Sequence, residues 1–107
     1  MSWTSLCELN ELTEGKGHYV EIDGFELAVF LSAGSVSVLD NMCPHAGANL
    51  AGGEVVEGCA VCPMHNWAFR LDNGQLRDSP GVSVRKYATR ILDYGGKRLV
   101  QAELPSY

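Results

Sequence analysis

Short runs of β-branched and aromatic residues, broken at regular intervals by glycine-bearing turns, occupy most of this 107-residue chain. His18-Tyr19-Val20-Glu21-Ile22 is one such run, and the Asp23-Gly24 pair after it is a strong hairpin signal. Phe25 to Leu31 supplies the returning strand. Ala33-Gly34 marks another turn, and Ser35-Val36-Ser37-Val38-Leu39 alternates polar and apolar as a half-buried strand does. Further along, Trp67-Ala68-Phe69-Arg70-Leu71 and the turn Asp72-Asn73-Gly74 read as a hairpin arm. Tyr87 to Leu92, the turn Tyr94-Gly95-Gly96 and Arg98 to Ala102 read as a C-terminal hairpin. The one helical candidate is Glu8 to Thr13, a short leucine-spaced turn. Twelve glycines punctuating short strands predict an all-β fold, an antiparallel sandwich or small barrel. With no internal repeat or linker, residues 1–107 read as a single domain.

Residues 43–66 interrupt this pattern, because Gly47, Gly52, Gly53, Gly58 and two prolines favour loops over strands. The interruption is where the chemistry concentrates: residues 41–69 hold three of the four cysteines and two of the three histidines. The donors fall in two knots, Cys43-Pro44-His45 and Cys62-Pro63-Met64-His65, with 16 residues between His45 and Cys62. Spacing this short lets one loop aim two side chains at one centre at little ordering cost, and each proline stiffens the turn that aims the sulfur. Thiolates suit iron–sulfur clusters and zinc, and imidazole suits iron and zinc alike. On donor chemistry alone, an iron–sulfur cluster and a tetrahedral zinc site both remain open.

Cys59 could pair with Cys62 as a Cys-x-x-Cys motif, but alternation gives a simpler account. In a strand Cys59-Ala60-Val61-Cys62, Cys59 shares a face with Val61 and is a small packed residue, while Cys62 projects from the strand's end. Cys7 reads as structural and His18 as a surface or hydrogen-bonded strand residue.

Composition narrows the function classes. The chain is 46% hydrophobic and 20% charged, within the globular range. Its net charge of −5, with only eight scattered Lys and Arg, excludes a nucleic-acid footprint. An acidic surface keeps such a protein soluble and suits docking to a basic patch on a protein partner. The N-terminal segment lacks the features of a signal peptide, and no apolar stretch nears the ~18 residues of a membrane span. We therefore expect no membrane association and a cytoplasmic location, where thiols stay reduced and clustered cysteines point to metal or catalysis. No nucleophile–base pair or nucleotide-binding loop is visible, so catalysis by the isolated chain is not expected.

The spaced pattern Cys43-x-His45, then Cys62-x-x-His65, resembles the Rieske [2Fe–2S] signature, in which two histidines replace two cysteines on one iron. The resemblance covers essentially the whole chain. It implies a Rieske-type fold of three antiparallel β-sheets with two cluster-binding loops within about residues 41–67. It further implies one [2Fe–2S] cluster per chain, with Cys43 and Cys62 on the inner iron and His45 and His65 on the outer. Leu50, Trp67 and Pro80, the last within Ser79-Pro80-Gly81, look like counterparts of residues that shield the cluster, although ordinary packing explains each of them equally well.

The departures are informative. High-potential members of the family carry one further cysteine in each loop, joined as a disulfide; here those positions are Ala48 and Met64. They also direct serine and tyrosine hydroxyls at cluster sulfurs, where this chain has Trp67 and Phe69. Without those hydrogen bonds, the resemblance implies a low-potential centre. Among low-potential relatives, the run Cys62-Pro63-Met64-His65-Asn66-Trp67, followed by Leu71-Asp72-Asn73-Gly74, is more similar to the small subunit of NAD(P)H-dependent nitrite reductase than to ferredoxins of ring-hydroxylating oxygenases. Either implies electron transfer, with a flavoprotein reductase or a large nitrite-reductase-like or oxygenase subunit as partner.

Overall fold

The computed structural model describes residues 2–42, 49–64 and 66–105, with the Pro80 side chain outside the described set. Its strands are β1 (Ser2–Glu8), β2 (Gly17–Ile22), β3 (Phe25–Ser32), β4 (Ser35–Asp40), β5 (Glu54–Val56), β6 (Cys59–Val61), β7 (Ala68–Arg70), β8 (Gln75–Leu76), β9 (Ser79–Ser83), β10 (Lys86–Tyr87), β11 (Thr89–Tyr94) and β12 (Lys97–Leu104). Three antiparallel sheets form, with strand orders β1-β12-β11, β10-β4-β3-β2 and β5-β6-β7-β8-β9. No helix of the described residues is long and apolar enough to cross a membrane.

The four-stranded sheet is the middle layer, and β3 shows why. Its run Leu27-Ala28-Val29-Phe30 is wholly buried, so the strand lacks polar alternation. Successive side chains point to opposite faces. Leu27 and Val29 join Val38, Tyr87, Val100 and Leu104 in one core, against the β1-β12-β11 sheet. Ala28 and Phe30 join Leu39, Leu50, Ala60, Cys62 and Phe69 in the other, against the five-stranded sheet. Complete burial of each Val, Leu or Phe contributes about 1.5–3 kcal/mol, so these strands anchor both layers.

The hairpin turns form where the pattern places them. Asp23-Gly24 and Ala33-Gly34 both have positive φ at both positions, the geometry that matches strand twist in a two-residue turn. Elsewhere the structure corrects the pattern. The expected helix at Glu8 to Thr13 is a single 3-10 turn, Leu9–Glu11, closed by Glu11 accepting the Glu8 N–H at 2.6 Å. The expected strand Tyr87 to Leu92 is broken at Ala88, because β10 pairs with β4 while β11 pairs with β12; the chain changes sheets there. β1 was not expected: its ladder forms entirely with β12, 95 or so residues away, and is broken by a bulge between Ser5 and Cys7. Within the glycine-rich 43–66 segment lie a 3-10 turn, Leu50–Gly52, and the β5–β6 hairpin. Ser79-Pro80-Gly81 belongs to β9, an edge strand, where a proline costs no ladder hydrogen bond on its open side.

The glycine pair Gly52-Gly53 lets the 3-10 turn press onto the five-stranded sheet. Gly53 lies so close to β6 that a Cβ there would enter the shell of the Val61 carbonyl oxygen, whereas a Cβ on Gly52 would meet only Asn49 Nδ2 at 3.6 Å and Pro63 Cγ at 3.8 Å. Gly53→Ala should therefore destabilise the fold by about 1–3 kcal/mol, lowering the melting temperature by about 4–8 °C per kcal/mol, while Gly52→Ala stays within about 1 kcal/mol of wild type. Thermal melts of the two variants side by side check this, and equal melting temperatures would contradict it.

Candidate metal centre

Both predicted ligand segments are tied at their bases. Cys62 follows β6 directly, and its N–H donates to the Trp67 carbonyl at 2.7 Å. The Cys62 carbonyl in turn accepts the Asn66 N–H at 2.9 Å. The turn is completed by Asn66 at φ 57°, a left-handed conformation that asparagine tolerates better than most residues. The hairpin β6–β7 thus ends in a short tip with the Cys62 backbone fixed on both sides. The sulfur side is equally constrained: Cys62 is fully buried, carries no disulfide, and packs in the core with Leu50 and Phe69.

The other segment is tied at its base. Met42 and Asn49 form an isolated antiparallel bridge, and the Asn41 carbonyl accepts the Leu50 N–H at 2.8 Å. The buried Asn41 side chain adds a second closure, its Oδ1 accepting the Ala51 N–H at 2.8 Å. One residue earlier, Asp40 Oδ1 accepts the Tyr87 hydroxyl at 2.6 Å, and the Asp40 N–H donates to the Arg85 carbonyl at 2.9 Å. The Arg85 guanidinium lies 5.0 Å from the Tyr87 ring centroid. The two loop bases meet at Gly52, which faces both Asn49 and Pro63.

Of the predicted ligands, Cys62 is described, while Cys43, His45 and His65 lie outside the described residues, as does Ala48. Among the described residues no three His, Cys, Asp or Glu side chains converge as a metal site. The chemistry of Cys62 nevertheless fits a metal-bound cluster. A sulfur held in a dry apolar pocket at a hairpin tip is a soft donor of the kind such clusters take. Sequence adds an imidazole three positions later and a Cys-x-His pair on the neighbouring loop. Cys59 sits at the far end of β6, three extended residues and roughly 10 Å from Cys62, with its side chain on the opposite face, so the two do not share a centre. It is buried and pairs across the ladder with Arg70.

Of the shielding candidates, Leu50 is completely buried beside Cys62, and the half-buried Trp67 packs on the same core, its ring 6.4 Å from that of Phe69. Pro80 is placed by its backbone in β9. Met42 at the base of the first segment and Met64 in the tip of the second are exposed large hydrophobics, at 59% and 67%. Asn41 and the Tyr87–Asp40 contact escaped the sequence reading. The only available signal was an asparagine at the exit of a strand two residues before a ligand.

The remaining thiol is distinct. Burial, and secondarily the charge of Glu11, push Cys7 from the ordinary 9.0 up to about 11. Because the folded value is raised, the stability it contributes is complete below about pH 9 and is lost as pH climbs through 9 towards 11. Alkylation of Cys7, followed by mass spectrometry of the peptide, should show a midpoint near pH 11; one near 9 would refute the shift. Asn41→Ala should cost about 1–3 kcal/mol in denaturant unfolding with unchanged m, since it strands the buried Ala51 N–H.

Comparison with known proteins converges on one identity. A model of the Rieske [2Fe-2S] domain matches residues 2–89. The chain is 33% identical over 100 residues to a cholesterol 7-desaturase of Drosophila melanogaster, covering 85% of this chain and 23% of that protein. It is 40% identical over 76 residues to the oxygenase component of a 3-ketosteroid-9-alpha-monooxygenase of Rhodococcus rhodochrous, covering 70% and 19%. It thus spans about a fifth of the length of these curated relatives. Among solved structures, a protein of Mycobacterium tuberculosis assigned as an NADH-dependent nitrite reductase small subunit superimposes with a TM-score of 0.85 at 31% identity, covering 98% of this chain and 97% of that one. The ferredoxin of carbazole 1,9a-dioxygenase from Nocardioides aromaticivorans superimposes with a TM-score of 0.75 at 29% identity, covering 94% and 97%. With its three antiparallel sheets and its loop-borne cysteine–histidine pairs, the chain belongs to the Rieske [2Fe–2S] domain family, whose members bind a [2Fe–2S] cluster.

Proposed function

We propose that the chain is a single Rieske-type domain that relays electrons one at a time, with Cys43 and Cys62 holding one iron of the cluster and His45 and His65 the other. The observation that carries the reading is the fully buried, disulfide-free Cys62 at a hairpin tip, adjoining the base of the loop that bears Cys43 and His45. When bound, the cluster supplies a reversible one-electron couple. The chain's own residues do the rest. The backbone bonds of Cys62 fix the sulfur's direction. Leu50, Phe69 and Trp67 keep water from it, and Asn41 holds the other loop's base. Two neutral imidazoles in place of thiolates make one iron easier to reduce and raise the potential relative to an all-cysteine cluster.

The near-complete mutual coverage with the nitrite reductase small subunit favours a role as the small subunit of a nitrite-reductase-like, NAD(P)H-dependent enzyme. The carbazole dioxygenase ferredoxin supports the second reading, a carrier serving a ring-hydroxylating oxygenase. In the first the partner is a large redox subunit, and in the second a flavoprotein reductase and an oxygenase; a pulldown that retains or loses a large subunit separates them. Three free cysteines among the described residues support a reducing, cytoplasmic setting.

The purified protein should be red-brown, and its reduced form should give an EPR signal with average g below the free-electron value. A colourless, EPR-silent protein containing zinc would overturn the reading. Cys62→Ser and His65→Ser should each abolish that signal, while Cys59→Ser retains it. Redox titration should place the midpoint toward the lower end of the ~ −150 to +300 mV Rieske range, because Trp67 and Phe69 offer no hydroxyl to a cluster sulfur. A strongly positive midpoint would contradict that assignment.

A further inference from the structure

Beside the first loop's base lies a shallow recess of about 260 Å³ walled by Tyr19, Glu26, Asn41, Met42 and Asn49. Its rim carries an unusual pair. Glu21 of β2 and Glu26 of β3 stand directly opposite each other in the antiparallel register, both exposed. Like charges in that position cost stability rather than adding it. The ion pairs among the described residues are Arg70–Asp72, Arg77–Glu57, Arg77–Asp78 and Arg98–Asp93, none of which neutralises this pair. The Tyr19 hydroxyl donates to Glu26 Oε1 at 3.1 Å, and among the described residues no donor meets Glu26 Oε2 or either oxygen of Glu21. Partial desolvation, the hydrogen bond to Glu26 and the charges of Glu21 and Glu26 together push the Tyr19 phenol upward. Charges on an edge strand discourage strand pairing, and β2 is such an edge; Glu26 lies on the inner strand β3, where that need does not arise. On the loop side the wall of the recess is the exposed Met42.

We propose that this recess docks the redox partner: a lysine or arginine of a basic protein surface enters between Glu21 and Glu26, while an apolar group beside it covers Met42. The inference rests on the electron-transfer reading and deepens it by naming the partner's surface chemistry. The carboxylate pair supplies charge steering, which raises association rates and is screened by salt. Met42 supplies adaptable apolar contact. Its position at the base of the first loop brings the partner to that segment.

Cytochrome c, a small haem protein with a basic surface, serves as the probe. Dithionite-reduced holoprotein gives up one electron and ferric cytochrome c becomes ferrous; no atoms are exchanged. Stopped-flow rates should fall about tenfold or more between ~10 mM and ~200 mM ionic strength. Glu21→Gln combined with Glu26→Gln should slow the reaction about fivefold or more at low salt and converge with wild type at high salt. Glu57→Gln combined with Asp93→Asn removes equal charge on other parts of the surface and should slow it less than about twofold. Oxidation by ferricyanide, a small anion that needs no docking, should not be slowed by either pair. Equal slowing by the two pairs, or none by the first, would overturn the docking site. A wild-type protein without a cluster signal or ferricyanide-oxidisable electrons would instead overturn the electron-transfer reading beneath it.

Discussion

The rest of the molecule depends on burying the middle sheet on both faces. β3 and β4 cannot face water on either side, because Leu27, Val29 and Val38 fill one core while Ala28, Phe30 and Leu39 fill the other. Two outer layers are therefore required, and each is assembled from segments distant in sequence. The β1-β12-β11 sheet joins the two ends of the chain, and the five-stranded sheet is inserted between β4 and β10. The second insertion is what creates a site. Leaving β4 at Asp40 and returning through β10, the chain lays down the described bases of both predicted ligand segments at the margin between the middle layer and the inserted one.

That margin is tight enough to restrict residue choice. Gly53 and Gly17 accept backbone neighbours, the Val61 and Ala51 carbonyls, where a side chain would collide. Close approach brings Leu50 and Ala51 of the 3-10 turn into the same core as Cys62. A buried sulfur would ordinarily weaken such a core only slightly, since cysteine packs as a small apolar residue. The same packing fixes the Cys62 sulfur inside the layer and away from solvent.

What was legible in the sequence follows from how locally each feature is determined. The hairpins at Asp23-Gly24 and Ala33-Gly34, and the strands on either side, are set by turn chemistry and neighbouring residues, and they form as the pattern indicates. The break at Ala88 was hidden because Tyr87 and Ile91 are both apolar, each serving a different sheet partner. β1 was hidden because its stability comes from β12, at the far end of the chain. β6 was legible as the strand Cys59-Ala60-Val61, whereas its partner β5 was masked by the glycines needed for close approach and for the Glu57-Gly58 turn. At the site, the ligand spacing was readable because it is a local motif. The Asn41 closure and the Tyr87–Asp40 hydrogen bond were not, since each joins residues whose proximity only the fold provides.

The closures at the site share a property with functional weight: most are made by backbone groups. Cys62 is fixed by its own N–H and carbonyl, and the first loop's base by the Asn41 carbonyl and the Met42–Asn49 bridge, with the Asn41 amide adding a side-chain closure. A frame of this kind holds its ligands largely independently of the identity of nearby surface side chains. Tyr19, Glu21, Glu26, Met42 and Met64 are exposed and take little part in the frame. Side chains there can be exchanged without touching the hydrogen bonds that hold Cys62, so the proposed docking surface can be varied separately from the frame. The like-charged Glu21–Glu26 pair fits that separation: its stability cost falls on the β2–β3 ladder, at the periphery, and not on the hydrogen bonds that hold the ligand loops.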